Sequence, residues 1–319
     1  LLAAVLPLTV VEMFDDPTTG WLVMAVVFST FYAIPWLLMF VFTHERVPMC
    51  EEKSDFHISS FLRPFEVRAF RKLIAMYFLA YLSMDVVAAV FQYYMYYYLD
   101  RKSEADLVIG TMLIAQIVLI PLVVTLANRH GKALVYSVSI VVWLAGACLL
   151  AMYQPSWPGY AIYLVAALVG AGVVGCVVMP WSIFPDVADV GELRYGYRIA
   201  GSFSGVLTFS RKLSGAIGIF AVGMILEFSG YLPPIKGMQD GRYVETLQAQ
   251  PDSVITALQL IVFLVPVMLL IPAFFAARSY PLDKRTHGKL RRFLEFQRGE
   301  KSTSNLSDEE LESMKRLLI

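Results

Sequence analysis

Residues 200–228, AGSFSGVLTFSRKLSGAIGIFAVGMILEF, form an apolar run long enough to cross a bilayer, interrupted near its middle by the adjacent cations Arg211 and Lys212. A charge at bilayer depth costs at least roughly 2.5–3.5 kcal/mol, so it persists where water, a partner or a substrate compensates it. The run around the pair is otherwise nearly uncharged. In a chain with several such spans, the pair reads as part of a transport pathway.

The rest of the chain supplies those spans. Apolar residues make up 58% of the 319 and charged residues 16%, with a mean hydropathy of +0.62; a soluble domain has roughly 45–50% and 25%. About 20 helical residues cross roughly 30 Å of hydrocarbon. Runs near or above that length fall at 20–43, 69–99, 106–127, 133–153, 159–184, 200–228 and 253–277. Residues 1–11, LLAAVLPLTVV, read as the end of an eighth helix, and the chain lacks an initiator Met. The expectation is an all-α polytopic membrane protein, present here as a fragment missing its N-terminal part.

A formal net charge of zero hides an asymmetry. Segments 44–68, 128–132, 185–199 and 278–319 carry most of the 26 Lys and Arg, whereas the opposite loops hold Arg101, Lys102, Lys236 and Arg242. The excess of basic residues marks the first face as cytoplasmic. Cys148 and Cys176 lie in apolar spans and Cys50 in a predicted cytoplasmic loop, so no disulfide is expected. The four histidines are too scattered for a metal site. Small residues cluster at Gly170–Gly175 and again at Gly201–Gly218, where helix backbones can approach closely, for static packing or for sliding. The tail from Ser279 reads as a solvated anchoring or regulatory segment whose Lys284, Arg285, Lys289, Arg291 and Arg292 suit an anionic leaflet. Ser307 and Glu310 there form a capping box.

Several residues are candidates for function. Thr208 and Lys212, four apart, share one helix face. Counted from the turn near Ile199, Lys212 lies roughly 20 Å deep at about 1.5 Å per residue. A hydroxyl and an ammonium on one face can coordinate or replace a small cation, or bond a polar solute; the alternative is that both cations only pair structurally with carboxylates. Arg211 points about 100° away and is expected to brace a neighbouring helix. Asp85, in LAYLSMDVVAAVFQYY (79–94), is the other deep charge and is expected to pair with Lys212 across an empty cavity; the alternative is a water-filled crevice. The tyrosine-rich FQYYMYYY (91–98) reads first as an aromatic belt, with Gln92 and some tyrosines facing a sugar as the alternative. In MPWSIFPDVADVGELRYGYR (179–198), Asp186, Asp189 and Glu192 are spaced by three and are followed by Arg194 and Arg198. That geometry suits an ionic latch; a static surface cluster is the other reading.

This string, with Thr-x-x-x-Lys at 208–212 and Gly230-Tyr231, resembles the glycoside–pentoside–hexuronide:cation symporters, the melibiose-permease-like branch of the major facilitator superfamily. FTHERVP (42–48) and LANRHGK (126–132) extend the resemblance. It implies the end of helix 5 and helix 6 (1–43), a cytoplasmic middle loop (44–68), a C-terminal six-helix bundle (69–277) and a cytoplasmic tail (278–319), within a twelve-helix parent. Lys212 matches the family's helix-11 lysine, Thr208 its cation-site threonine, and Asp186, Asp189 and Glu192 its acidic run after helix 10. The family's main cation-binding carboxylates and its sugar-binding Asp and Arg lie in helices 1–5, which this chain does not contain. The helix-10 tryptophan of melibiose permeases falls here at Val177, with Trp181 one turn nearer the acidic run on the same face. MPWS-x-x-PDV is also similar to sodium-dependent lysophospholipid symporters. The resemblance implies symport of a sugar or glycoside with Na⁺ or H⁺ by alternating access, or of a lysophospholipid instead. The expected setting is the inner or plasma membrane, with lipid and a small solute as partners, no nucleic acid, no cofactor or metal, and a monomer when full length. A membrane-embedded enzyme would have only Asp186 and Asp189 to work with, and a receptor-like scaffold would show no solute-dependent cation flux.

Overall fold

The computed structural model describes residues 10, 11, 13, 14, 16–44, 61–197, 200–239, 242–298 and 307–319. The chain divides into two units, Leu1–Phe56 and His57–Ile319. In the first, helix α1 (Pro17–Phe42) opens on Asp16, whose carboxylate accepts from the backbone N–H groups of Thr18 and Thr19 at 3.2 and 3.0 Å. Its large side chains are exposed on every side, Trp36 at 73% and Phe40 at 83%. A helix apolar all round is built for lipid or for a further protein surface.

The second unit holds six long helices: α2 (Arg68–Tyr93), α3 (Ala105–His130), α4 (Lys132–Met152), α5 (Ala161–Tyr195), α6 (Ala200–Phe228) and α7 (Asp252–Arg278). All seven spans read from the sequence are helices long and apolar enough to cross a membrane. One differs in extent. α5 does not stop near residue 184 but continues through Pro185 to Tyr195, where Gly196 at φ +77° ends it in the left-handed conformation. Asp186, Asp189 and Glu192 therefore ride on the helix itself.

α2 lies at the centre, packed against α5, α6 and α7, while α5 packs on α3 and α4. The small residues of α5 make this possible. A Cβ at Gly170 would sit 2.5 Å from the Met112 carbonyl oxygen of α3, and one at Gly172 would sit 2.3 Å from the Trp143 backbone nitrogen of α4. α6 is held mainly by α2, where Gly218 brings the two backbones together: its missing Cβ would lie 3.3 Å from the Asp85 Cβ.

At the end away from the basic loops, α2 runs into a π-helical turn, Tyr94–Tyr98. The sequence reading of these tyrosines as an aromatic belt is corrected for Tyr94, which is fully buried. The Tyr94 hydroxyl donates to the Leu150 carbonyl at 2.7 Å and Tyr98 to the Tyr153 carbonyl at 2.9 Å, both at the end of α4. Tyr97 and Tyr231 bring their hydroxyls within 3.1 Å. The long loop after α6 contains a two-stranded antiparallel hairpin, β1 (Ile235–Gln239) with β2 (Arg242–Thr246), a small exception within an otherwise helical fold.

The tail is folded rather than solvated. α8 (Lys284–Gln297) is capped by Asp283, and α9 (Asp308–Leu318) by the Ser307–Glu310 capping box. Leu290, Leu294, Met314 and Leu318 are at most 5% exposed and share one apolar core with α2, α4 and α5. Leu290 and Leu294, four apart, give α8 an apolar stripe narrow enough to pass for part of a basic tail. Leu294→Ala is expected to destabilise the protein by about 2–5 kcal/mol, read as a lower thermal midpoint in detergent; an unchanged midpoint would mean that the tail does not dock.

Candidate functional site

The site starts with the rotation of α6. Ser214 and Gly218 turn its small-residue face onto α2, and Arg211, three residues before Ser214, shares that face. The guanidinium meets the Asp85 carboxylate with two parallel bonds, Nη1 to Oδ2 at 2.6 Å and Nη2 to Oδ1 at 3.0 Å. Ser214 Oγ adds a third bond to Asp85, at 3.3 Å. This two-pronged geometry is the strongest that a guanidinium makes with a carboxylate. Asp85 is 14% exposed and Arg211 35%. The expected Asp85–Lys212 pair is thus corrected: Arg211 takes the carboxylate because it, and not Lys212, lies on the face toward α2. The bracing role anticipated for Arg211 is the one observed.

Lys212, about 100° further round, is exposed, and so is Thr208 one turn before it. Among the described residues neither the Lys212 ammonium nor the Thr208 hydroxyl has a hydrogen-bond or ion-pair partner. The two adjacent cations are split, one neutralised within the bundle and the other presented outward beside a hydroxyl.

A second set of contacts joins α5 to this pair. The Arg211 guanidinium lies 4.7 Å over the Tyr81 ring, within cation–π range. The Tyr81 hydroxyl accepts from Trp181 Nε1 at 3.0 Å, and Tyr77 meets the Trp181 ring edge to face with centroids 5.7 Å apart. Trp181 remains 47% exposed. Tyr77 and Tyr81 were not singled out in the sequence, although Tyr81 lies one turn before Asp85 on the same helix face. Gln92, two turns beyond Asp85, is exposed and is not drawn into this group.

The acidic run forms a separate cluster at the basic end. Asp186 accepts from Lys132 at 2.6 Å, and His287 of α8 contacts Asp189 at 3.1 Å and Asp186 at 3.7 Å. Glu192 takes both prongs of Arg298, one at 2.8 Å. Arg194 turns instead to Glu66, with Nε at 3.1 Å, and Tyr195 donates to the same carboxylate at 3.0 Å. These bonds, that from Arg194 above all, hold the Glu66 carboxyl below its usual range. The contact therefore persists through the ordinary glutamate range as pH falls and is lost only below it. Arg198 lies outside the described residues. The acids are satisfied by α4 and the tail, and Arg194, which follows them in sequence, bonds Glu66 instead.

The chain matches a family model described as MFS/sugar transport protein over residues 1–284. It is similar to the symporter sll1374 of Synechocystis, 28% identical over 72% of this chain and 41% of that protein. It is also similar to a putative sulfoquinovose importer of Salmonella typhimurium, 29% identical over 81% and 52%. A third similarity is to the sodium-dependent lysophosphatidylcholine symporter 1 of Gallus gallus, 25% identical over 92% and 54%. The chain spans about half the length of these relatives. With seven membrane-capable helices among the described residues and a family match over most of its length, this is an integral, multi-pass membrane protein that belongs to the MFS/sugar transport protein family.

Proposed function

We propose that this chain serves in a symporter that moves a sugar or glycoside together with Na⁺ or H⁺ by alternating access. The observation that carries the reading is the split basic pair: Asp85 neutralises Arg211 at depth and leaves Lys212 presented beside Thr208. An uncompensated ammonium at that depth is held against its insertion cost for a purpose, and a solute hydroxyl or a coupling cation displacing the ammonium supplies one. Thr208, Lys212 and Trp181 form this chain's share of the site, with Gln92 at its outer margin. Asp85 fixes the helix on which Lys212 stands. The basic-loop face, with the C-terminus, is cytoplasmic, and the Asp186–Asp189–Glu192 cluster lies at that mouth, with Arg194 on the same helix. No catalytic chemistry is assigned.

A second reading, lysophospholipid symport, is supported by the relative that covers 92% of this chain. The test is uptake into energised membrane vesicles of a labelled α-galactoside, sulfoquinovose and lysophosphatidylcholine, with a sodium gradient, a proton gradient or neither. Gradient-stimulated uptake of either sugar supports the first reading, lysolipid uptake alone moves the chain to the second, and uptake indifferent to both gradients overturns symport.

A further inference from the structure

We infer that Tyr81 is a positioning residue that fixes the exposed indole of Trp181 as a flat platform for the apolar face of a sugar ring, an inference that rests on the sugar-symport reading above. Trp181 is 47% exposed, yet its ring is not free. Its only polar atom, Nε1, is turned inward to the Tyr81 hydroxyl at 3.0 Å. Tyr77 closes on it edge to face at 5.7 Å and 83°. A tryptophan serving as a membrane-interface anchor does the reverse, sending its N–H toward headgroup water while its ring lies in hydrocarbon. Here the N–H is spent inside the bundle and the open surface is ring.

Depth supports the same assignment. Tyr81 is one turn from Asp85, and the Arg211 guanidinium that grips Asp85 also covers the Tyr81 ring at 4.7 Å. Trp181 is therefore level with the deep charge pair rather than with a headgroup region. Arg211 is the neighbour of Lys212, so two hydrogen-bonded joints and one ring contact hold the platform and the free ammonium in a fixed relation across α5, α2 and α6. A sugar offers what this arrangement recognises, an apolar C–H face for the indole and hydroxyls for an ammonium. Holding the ring beforehand removes the loss of side-chain freedom that binding would otherwise impose.

The test is a double-mutant cycle in the protein as its gene encodes it, in energised vesicles, with the same α-galactoside and sulfoquinovose as probes. Tyr81→Phe is expected to raise the half-saturating sugar concentration roughly 2- to 10-fold, the worth of one hydrogen bond, with the maximal rate little changed. In a Trp181→Phe background, which has no N–H to hold, Tyr81→Phe should add nothing. Equal effects in both backgrounds, or a loss of maximal rate alone, would overturn the proposal while leaving symport standing. Wild-type vesicles that take up neither sugar would instead overturn the sugar reading. A readout independent of solute separates positioning from folding. In fluorotryptophan-labelled protein, Tyr81→Phe should shift the Trp181 fluorine resonance, identified by its loss in Trp181→Phe, and leave the other four tryptophans in place. An unmoved Trp181 resonance would also overturn the proposal.

Discussion

Asp85→Ala is expected to strip α6 of its main polar anchor and leave the Arg211 guanidinium unpaired at bilayer depth. Removing one partner of a buried ion pair costs about 3–5 kcal/mol, because the charge left behind has lost both water and its counter-ion. Arg211 is 35% exposed, which places the effect at the lower end of that range. α6 packs mainly on α2, so little else compensates the loss. The variant should show poor yield and a thermal midpoint in detergent several degrees below wild type. The double exchange Asp85→Arg with Arg211→Asp should recover part of the loss, since the two-pronged pair can form with its members traded between helices. Recovery will be incomplete because the cation then sits on α2 and no longer covers Tyr81 from α6. A single variant as stable as wild type, or a double exchange no better than the single, would show that the pair does not hold α6 in place.

The number of the spans was legible because apolar length and helical period are properties of one segment at a time. The same holds for Thr208 and Lys212, whose spacing of four fixes a common face whatever surrounds them. The end of α5 was placed short of Tyr195 because the acidic run past Pro185 interrupts the apolar signal but not the helix. The partner of Asp85 is a different kind of question. Depth alone made Arg211 and Lys212 equal candidates, and the choice depends on which side of α6 meets α2. That side was encoded in Ser214 and Gly218, which follow Arg211 at spacings of three and seven and admit close approach. Read together with Asp85, they would have selected Arg211. The partners of the acidic run were harder to see. Lys132, His287 and Arg298 lie 54, 98 and 106 residues from the acids they bond. Two of the three belong to a tail whose polar composition concealed a docking stripe of Leu290 and Leu294. Tyr94 was misread as part of a belt because a π-helical turn shifts the direction of successive side chains, and its presence is not marked by any residue type.

Lys212→Ala is expected to behave in the opposite way from Asp85→Ala, leaving the fold intact and abolishing gradient-driven accumulation of solute. Lys212 is exposed and has no partner among the described residues, so its removal strands no charge and opens no cavity. Yield, membrane insertion and thermal midpoint should match wild type or rise slightly, since a charge has left bilayer depth. Its loss from a site should remove one charge-assisted hydrogen bond, worth about 1.5–3 kcal/mol, or roughly 10- to 100-fold in apparent solute or cation affinity. Where the ammonium also exchanges places with the coupling cation, downhill solute flux should survive while accumulation against a gradient disappears. Lys212→Arg keeps the charge but replaces a compact ammonium with a planar fork, and should restore less than half of the lost accumulation. Thr208→Val, which deletes the neighbouring hydroxyl while keeping the side-chain shape, should shift cation dependence more than solute dependence. The discriminating measurement is sodium- or proton-driven uptake in vesicles, paired with thermal midpoints of the same preparations. Accumulation at the wild-type level in Lys212→Ala would remove Lys212 from the transport site. A collapse of the midpoint would show that Lys212 has a structural partner and that the split of the basic pair is not what carries function.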